Sequence, residues 1–137
     1  MKRTLLITTC LCLLFQIGAF SQGRTIDLVD EFNLYPTNKI VISFFSNTQE
    51  ERRSIKITDL KEIAEIMRSL ESAEYFGGGF MPSLSLPLCQ IEFLRNDDSL
   101  AILQYSTDNN TLKRFFGGFR CYKASPDFIN ILDRYIE

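Results

Sequence analysis

The chain has no histidine. That removes the serine–histidine and cysteine–histidine nucleophile systems, histidine-bearing zinc sites and histidine general bases. Carboxylates remain for acid–base work, and a glycosidase needs only two of them at a set separation. The sequence offers 17 acidic residues, but most fall at turns, caps or solvent faces and no pair stands out. Asp97-Asp98 lacks calcium-loop spacing and fits a turn between strands. Gly77-Gly78-Gly79 is followed by Phe80-Met81-Pro82, not by Gly-Lys-Ser/Thr and a helix, so it is no phosphate loop. There is no dinucleotide fingerprint. Beyond the N-terminal segment only Cys89 and Cys121 are left as thiols, too few for a structural zinc site. The sequence therefore asks for no cofactor and no metal, and these absences favour a protein that is not an enzyme.

Binding chemistry has a better foothold. The stretch from Tyr75 to Leu88 is a loop by its glycines and prolines, yet nearly every other residue in it is apolar. Loops run over surfaces, because buried loop backbone lacks partners, and an apolar surface loop is a candidate docking patch. Tyr75, Phe76, Phe80, Met81, Leu84 and Leu86 are the candidate partner-binding residues of this stretch. Phe115-Phe116-Gly117-Gly118-Phe119 repeats the pattern and adds Phe115 and Phe119. Two readings stand side by side: a binding edge built from both segments, or a loop folded back over an open end of the core.

Charge narrows the class of partner. Fifteen basic side chains face 17 acidic ones, a formal net charge of −2. Nucleic acid is a poor partner for such a chain, since that binding depends on neutralising phosphates. Arg52-Arg53 and Lys56 follow Glu50-Glu51 and read as a solvated mixed-charge turn.

The N-terminus reads as an export signal. Lys2 and Arg3 precede an apolar run from Leu5 to Phe15, and Ala19 and Ser21 supply the small residues of a cleavage site before Gln22. The run is about a dozen residues, short of the roughly twenty that span a bilayer. Cys10 follows Thr9 inside the run and Cys12 follows bulky Leu11, so neither suits lipid attachment. The expectation is a cleavable signal over residues 1–21 and a single small domain over 22–137, periplasmic or secreted. It would touch a membrane only through the signal before cleavage. Loss of Lys2 and Arg3 leaves 13 basic against 17 acidic side chains, a net charge of −4.

The elements that must position these residues follow from periodicity. Between Gln22 and Asn38, a short helix or an edge strand is expected. Lys39–Ser46 is rich in β-branched and aromatic residues, and Ser54–Ile57 alternates, which predicts a hairpin. Asp59 and Glu62 form a capping box before a helix whose stripe is Leu60, Ile63, Ala64, Met67 and Leu70. Ser72–Leu88 is a break. Cys89–Leu94, Leu100–Tyr105 and Thr111–Tyr122 predict a three-stranded meander, the last strand bulged at Gly117-Gly118. Its turns would set Cys89 opposite Tyr105 and Tyr105 opposite Thr111, with Cys121 toward the far end of the sheet. That separation exceeds the roughly 7 Å reach of a disulfide, so two separate buried thiols are expected despite an oxidising destination. Ser125 caps a last helix with Pro126 at its first position and Phe128, Ile131, Leu132, Tyr135 and Ile136 as its stripe. The predicted fold is α+β: an antiparallel sheet of about five strands with two amphipathic helices on one face.

This plan of signal and small acidic α+β domain resembles the immunity proteins that guard a bacterial periplasm against secreted toxins, which need no catalytic residues. The functional expectation is an exported, non-enzymatic binding module acting through a protein partner. A periplasmic inhibitor or immunity protein is one alternative, and a small carboxylate-dependent hydrolase of cell-wall or sugar polymers is the other.

Overall fold

The computed structural model describes residues 23–46, 48, 50–78, 87–107, 110–115 and 120–136, without the side chains at 52 and 76–78. The expected signal segment lies outside them. In chain order the elements are β1 (Thr25–Ile26), α1 (Leu28–Glu31), β2 (Lys39–Phe45), β3 (Glu51–Ile57), α2 (Leu60–Leu70), β4 (Ala73–Gly78), β5 (Cys89–Arg95), β6 (Asp98–Ser106), β7 (Thr111–Arg114), β8 (Arg120–Lys123) and α3 (Pro126–Ile136). The strands form one sheet in the order β1-β4-β8-β7-β6-β5-β2-β3, and every neighbouring pair is antiparallel. The α+β class and the antiparallel sheet are as the sequence predicts. The described residues hold eight strands and three helices where five and two were expected.

The additional strands have identifiable origins. Ala73–Gly78 is a strand, not a loop: β4 pairs with β8, with a bulge between Tyr75 and Gly77, and with β1 on its other side. Tyr75 donates its N–H to Arg24 O and accepts from Gly23 N. The ladder to β8 at Gly77 and Gly78 thus overrides the weak strand preference of the glycines. Thr111–Tyr122 is not one bulged strand. It folds back on itself, and β7 and β8 pair antiparallel through Leu112–Tyr122 and Lys113–Cys121.

The register decides which residues share a face. One row of paired positions runs Phe44, Cys89, Tyr105, Leu112, Tyr122, Tyr75 across six strands. A second row runs Ile42, Ile91, Leu103, and a third Ile40, Phe93, Ala101. Most of these residues join one core cluster with Leu28 and Val29 of α1, Ile63, Ile66 and Leu70 of α2, and Phe128, Ile131 and Leu132 of α3. The helices therefore cover a single face. A side chain fully buried in this layer contributes about 1.5–3 kcal/mol relative to exposure. Tyr105 sits opposite Leu112, one residue on from the expected Thr111, and that shift keeps Leu112 in the core.

Helix caps show where local chemistry was read well and where it was not. Asp59 accepts from Lys61 N and Glu62 N and starts α2. Glu62 does not close the expected box, since its carboxylate accepts from the Tyr135 hydroxyl at 3.2 Å. The buried stripe of α2 is Ile63, Ile66, Ser69 and Leu70. Leu60 is 70% exposed, so the stripe is turned about one position from that expected. In α3, Ser125 Oγ accepts from Phe128 N at 3.2 Å and donates to Ser69 O at 2.7 Å, tying the start of α3 to the end of α2.

Cys89 and Cys121 are both free and buried. The geometry behind this differs from the one expected. Cys121 pairs with Lys113, which pairs with Gln104, which pairs with Gln90. Cys121 is thus nearly level with Cys89, three strands away, or about 14 Å at the usual strand spacing. The two also lie on opposite faces, since Cys89 shares its row with Tyr122. The Arg52-Arg53 segment is part of strand β3 and not a turn, while Arg53 is exposed as expected. Its guanidinium lies 5.0 Å from the Phe44 ring centroid and donates to Tyr135 O at the end of α3.

Candidate functional site

The residues flagged for partner binding converge in part on one end of the sheet. There β4 ends at Gly78, β7 ends at Arg114 and β8 begins at Arg120, with Gly78 paired to Arg120. Phe76 lies at the β4 bulge. Phe115 follows β7, half-buried, and its N–H donates to Ile102 O at 2.8 Å. Tyr75 belongs to the core-facing row, and its ring meets Tyr122 edge-on at 6.1 Å, so it is a packing residue and not part of a loop patch. Phe80, Met81, Leu84, Leu86 and Phe119 lie outside the described residues.

What the sequence reading passed over at this end is its charge. Glu31, Phe32, Arg114, Arg120 and Tyr122 line a cavity of about 230 Å³. Each wall has a structural cause. Asp27 caps α1 by accepting from Val29 N and Asp30 N, which sets Glu31 and Phe32 at the end of the helix. The hairpin of β7 and β8 brings in Arg114, Arg120 and Tyr122. The Phe32 ring meets the Tyr122 ring edge-on at 5.9 Å, and the Arg114 guanidinium lies 5.1 Å from the Phe32 centroid, within cation–π range. Arg120 Nη1 donates to Glu31 Oε1 at 3.1 Å. Burial raises the Tyr122 phenol above its ordinary pKa, with help from Glu31, while a hydrogen bond and the charge of Arg120 pull the other way. The phenol is therefore a neutral hydroxyl near pH 7, and the pocket carries two cations against one carboxylate. The protein as a whole is acidic, so this is a local reversal of sign.

Two other clefts differ in kind. Between α2 and α3, Glu65, Arg68, Ser69, Asp127, Asn130, Ile131 and Arg134 line about 270 Å³. It holds two acids, as a carboxylate hydrolase would need, but Arg134 already grips Glu65 with two bonds of 2.9 and 3.1 Å. The cleft of about 420 Å³ beside the start of α3 sets one acid, Glu74, opposite one base, Lys123, among Ser125, Pro126 and Ile129, with no excess of either charge. Asp97 has its pKa lowered by the Lys39 hydrogen bond and charge, the opposite of what a general acid requires. Burial pushes the Cys89 thiol up to about 12. The Cys121 thiol is also raised by burial, against a smaller lowering by Lys113. Neither is a nucleophile near neutral pH.

Among the described residues no group of three or more Cys, Asp or Glu is placed to hold a metal ion. No described helix is long and apolar enough to cross a membrane. The chain matches no protein-family model, no curated protein and no solved structure.

Proposed function

We propose that this is an exported, non-enzymatic binding module that docks a protein partner at the Gly78 end of its sheet. The observation that carries the reading is the meeting of Arg114, Arg120 and Tyr122 with Glu31 and Phe32 around one pocket. Arginine and tyrosine are the side chains most enriched among interface hot spots, where a rigid aromatic surface sits beside a forked donor. A periplasmic inhibitor or immunity protein is the case in which that partner is an enzyme or a toxin.

The test uses the chain from Gln22 onward as bait against the exported fraction of its source. The wild type should retain a partner that Phe115→Ser and Arg114→Glu both lose. Arg134→Ala, in the cleft between α2 and α3, should retain it. Equal retention by Arg114→Glu and wild type would show that the partner docks elsewhere.

A further inference from the structure

Lys113 and Cys121 are the last paired residues of the β7–β8 hairpin. The next position on each strand is an arginine, Arg114 on one side and Arg120 on the other, and both line the same pocket. Like charges at facing positions of an antiparallel pair oppose folding. The fold tolerates these two by giving each a separate neighbour. Arg114 lies over Phe32, and Arg120 meets Glu31. An aromatic face does not neutralise a cation, so two guanidiniums share one carboxylate.

From this juxtaposition we infer that the pocket receives a second carboxylate, the side chain of an aspartate or glutamate on the partner, and that Glu31 occupies part of its place in the free protein. The inference rests on the docking reading above and names the chemistry of that same site. Charge supports it: with Glu31 in place, one further negative charge makes the pocket neutral, whereas a phosphate dianion would overshoot. Shape supports it as well. A guanidinium stacked on a ring keeps its in-plane N–H edge for a flat, two-oxygen acceptor. The pocket wall is aromatic, and its polar donors are the two guanidiniums and a phenol. The Arg120–Glu31 pair is a single contact between side chains that are 64% and 38% exposed. Exposed pairs of this kind are weak, so Glu31 holds its place loosely and an arriving carboxylate can displace it or share Arg120 with it.

The experiment reads the arginine side-chain N–H resonances of the isotope-labelled full chain. The probes are acetyl-Gly-Glu-Gly-amide, its Gln counterpart and inorganic phosphate. The Glu peptide should move the Arg114 and Arg120 signals saturably, and the Gln peptide should not. Glu31→Gln should tighten the Glu peptide about threefold, the factor expected from removing a weak competing pair. Arg114→Gln should weaken it about tenfold, with unchanged core resonances showing that the variant is folded. Tighter binding of phosphate than of the Glu peptide would overturn the inference in favour of an inorganic anion. Failure of the Glu peptide to saturate the signals in Glu31→Gln would overturn it outright, and an affinity unaltered by Glu31→Gln would remove the role of Glu31. These failures are separate from failure of the docking reading. A partner lost by Phe115→Ser without any carboxylate response would mean docking without an acidic anchor. A carboxylate response in a domain whose partner ignores Arg114→Glu would mean the reverse.

Discussion

Raising the pH should unfold this protein in a way that Cys89 controls. The thiol is fully buried in β5 between Phe44 and Tyr105, and burial moves it from an ordinary value of 9.0 to about 12. Below about pH 9 the thiol is protonated in both folded and unfolded chains, and its contribution to stability is fully present. Above that the unfolded chain releases a proton that the folded chain keeps, so stability falls until the folded thiol also ionises near pH 12. The slope over this window is about 1.4 kcal/mol per pH unit, which gives a loss of about 2 kcal/mol by about pH 10.5. Tyr105 and Tyr122, whose phenols are also raised, chiefly by burial, add losses of the same sign at higher pH. The assay is therefore a comparison. Urea unfolding of wild type and Cys89→Ala at pH 8 and about pH 10.5 should show the variant losing about 2 kcal/mol less across that interval. At pH 8 the variant should be the less stable, because it leaves a small cavity. Parallel losses in the two proteins would refute the placement of the thiol in a dry core.

Three further outcomes follow from the packing and the caps. Ile66→Ala, at a position 3% exposed, should cost about 2–5 kcal/mol in urea unfolding. Leu60→Ala, at 70% exposure on the same helix, should stay within about 0.5 kcal/mol. If the two costs were reversed, the sequence-based stripe of α2 would be right and the observed one wrong. Ser125→Ala removes the cap of α3 and the bond to Ser69 O together, and should lower stability by about 1–3 kcal/mol, more than either function alone. Arg134→Ala deletes an exposed pair with Glu65 and should leave the urea midpoint unmoved, which would also show that this two-bonded contact does not hold α2 to α3.

The fold was legible where local signals and tertiary pairing agree. β2 combines five β-branched or aromatic residues with burial on alternate positions, and Asp59 and Ser125 cap the helices that their sequence context announces. Legibility failed where pairing overrode composition. Phe76-Gly77-Gly78 looks like a loop because glycine has no strand preference of its own, yet β8 supplies the ladder that holds it extended. The α2 stripe went astray for a simpler reason. Leu60 is apolar, but it stands in the first turn beside its cap, where the helix has not yet met the sheet. The one-residue shift at Tyr105 came from the turn. Asn110 stands in the left-handed conformation at φ 51°, and its side chain accepts the Tyr105 hydroxyl at 2.8 Å, which moves Leu112 rather than Thr111 into register.

The candidate site was hidden by one misread turn, and its signal was in plain sight. Read as a single bulged strand, Arg114-Phe115-Phe116-Gly117-Gly118-Phe119-Arg120 places its two arginines about 20 Å apart along the chain, unrelated to one another. Read as a hairpin connection, the same seven residues bring the arginines to neighbouring positions and on to one face. The two glycines favour the second reading, since paired glycines between β-forming residues are a turn signal as much as a bulge signal. Once the hairpin is granted, electrostatics does the rest: two facing cations on an acidic protein demand anions, and the described structure supplies one in Glu31. Phe32 and Tyr122 then frame the site, and the arginines on either side of this segment are its chemistry.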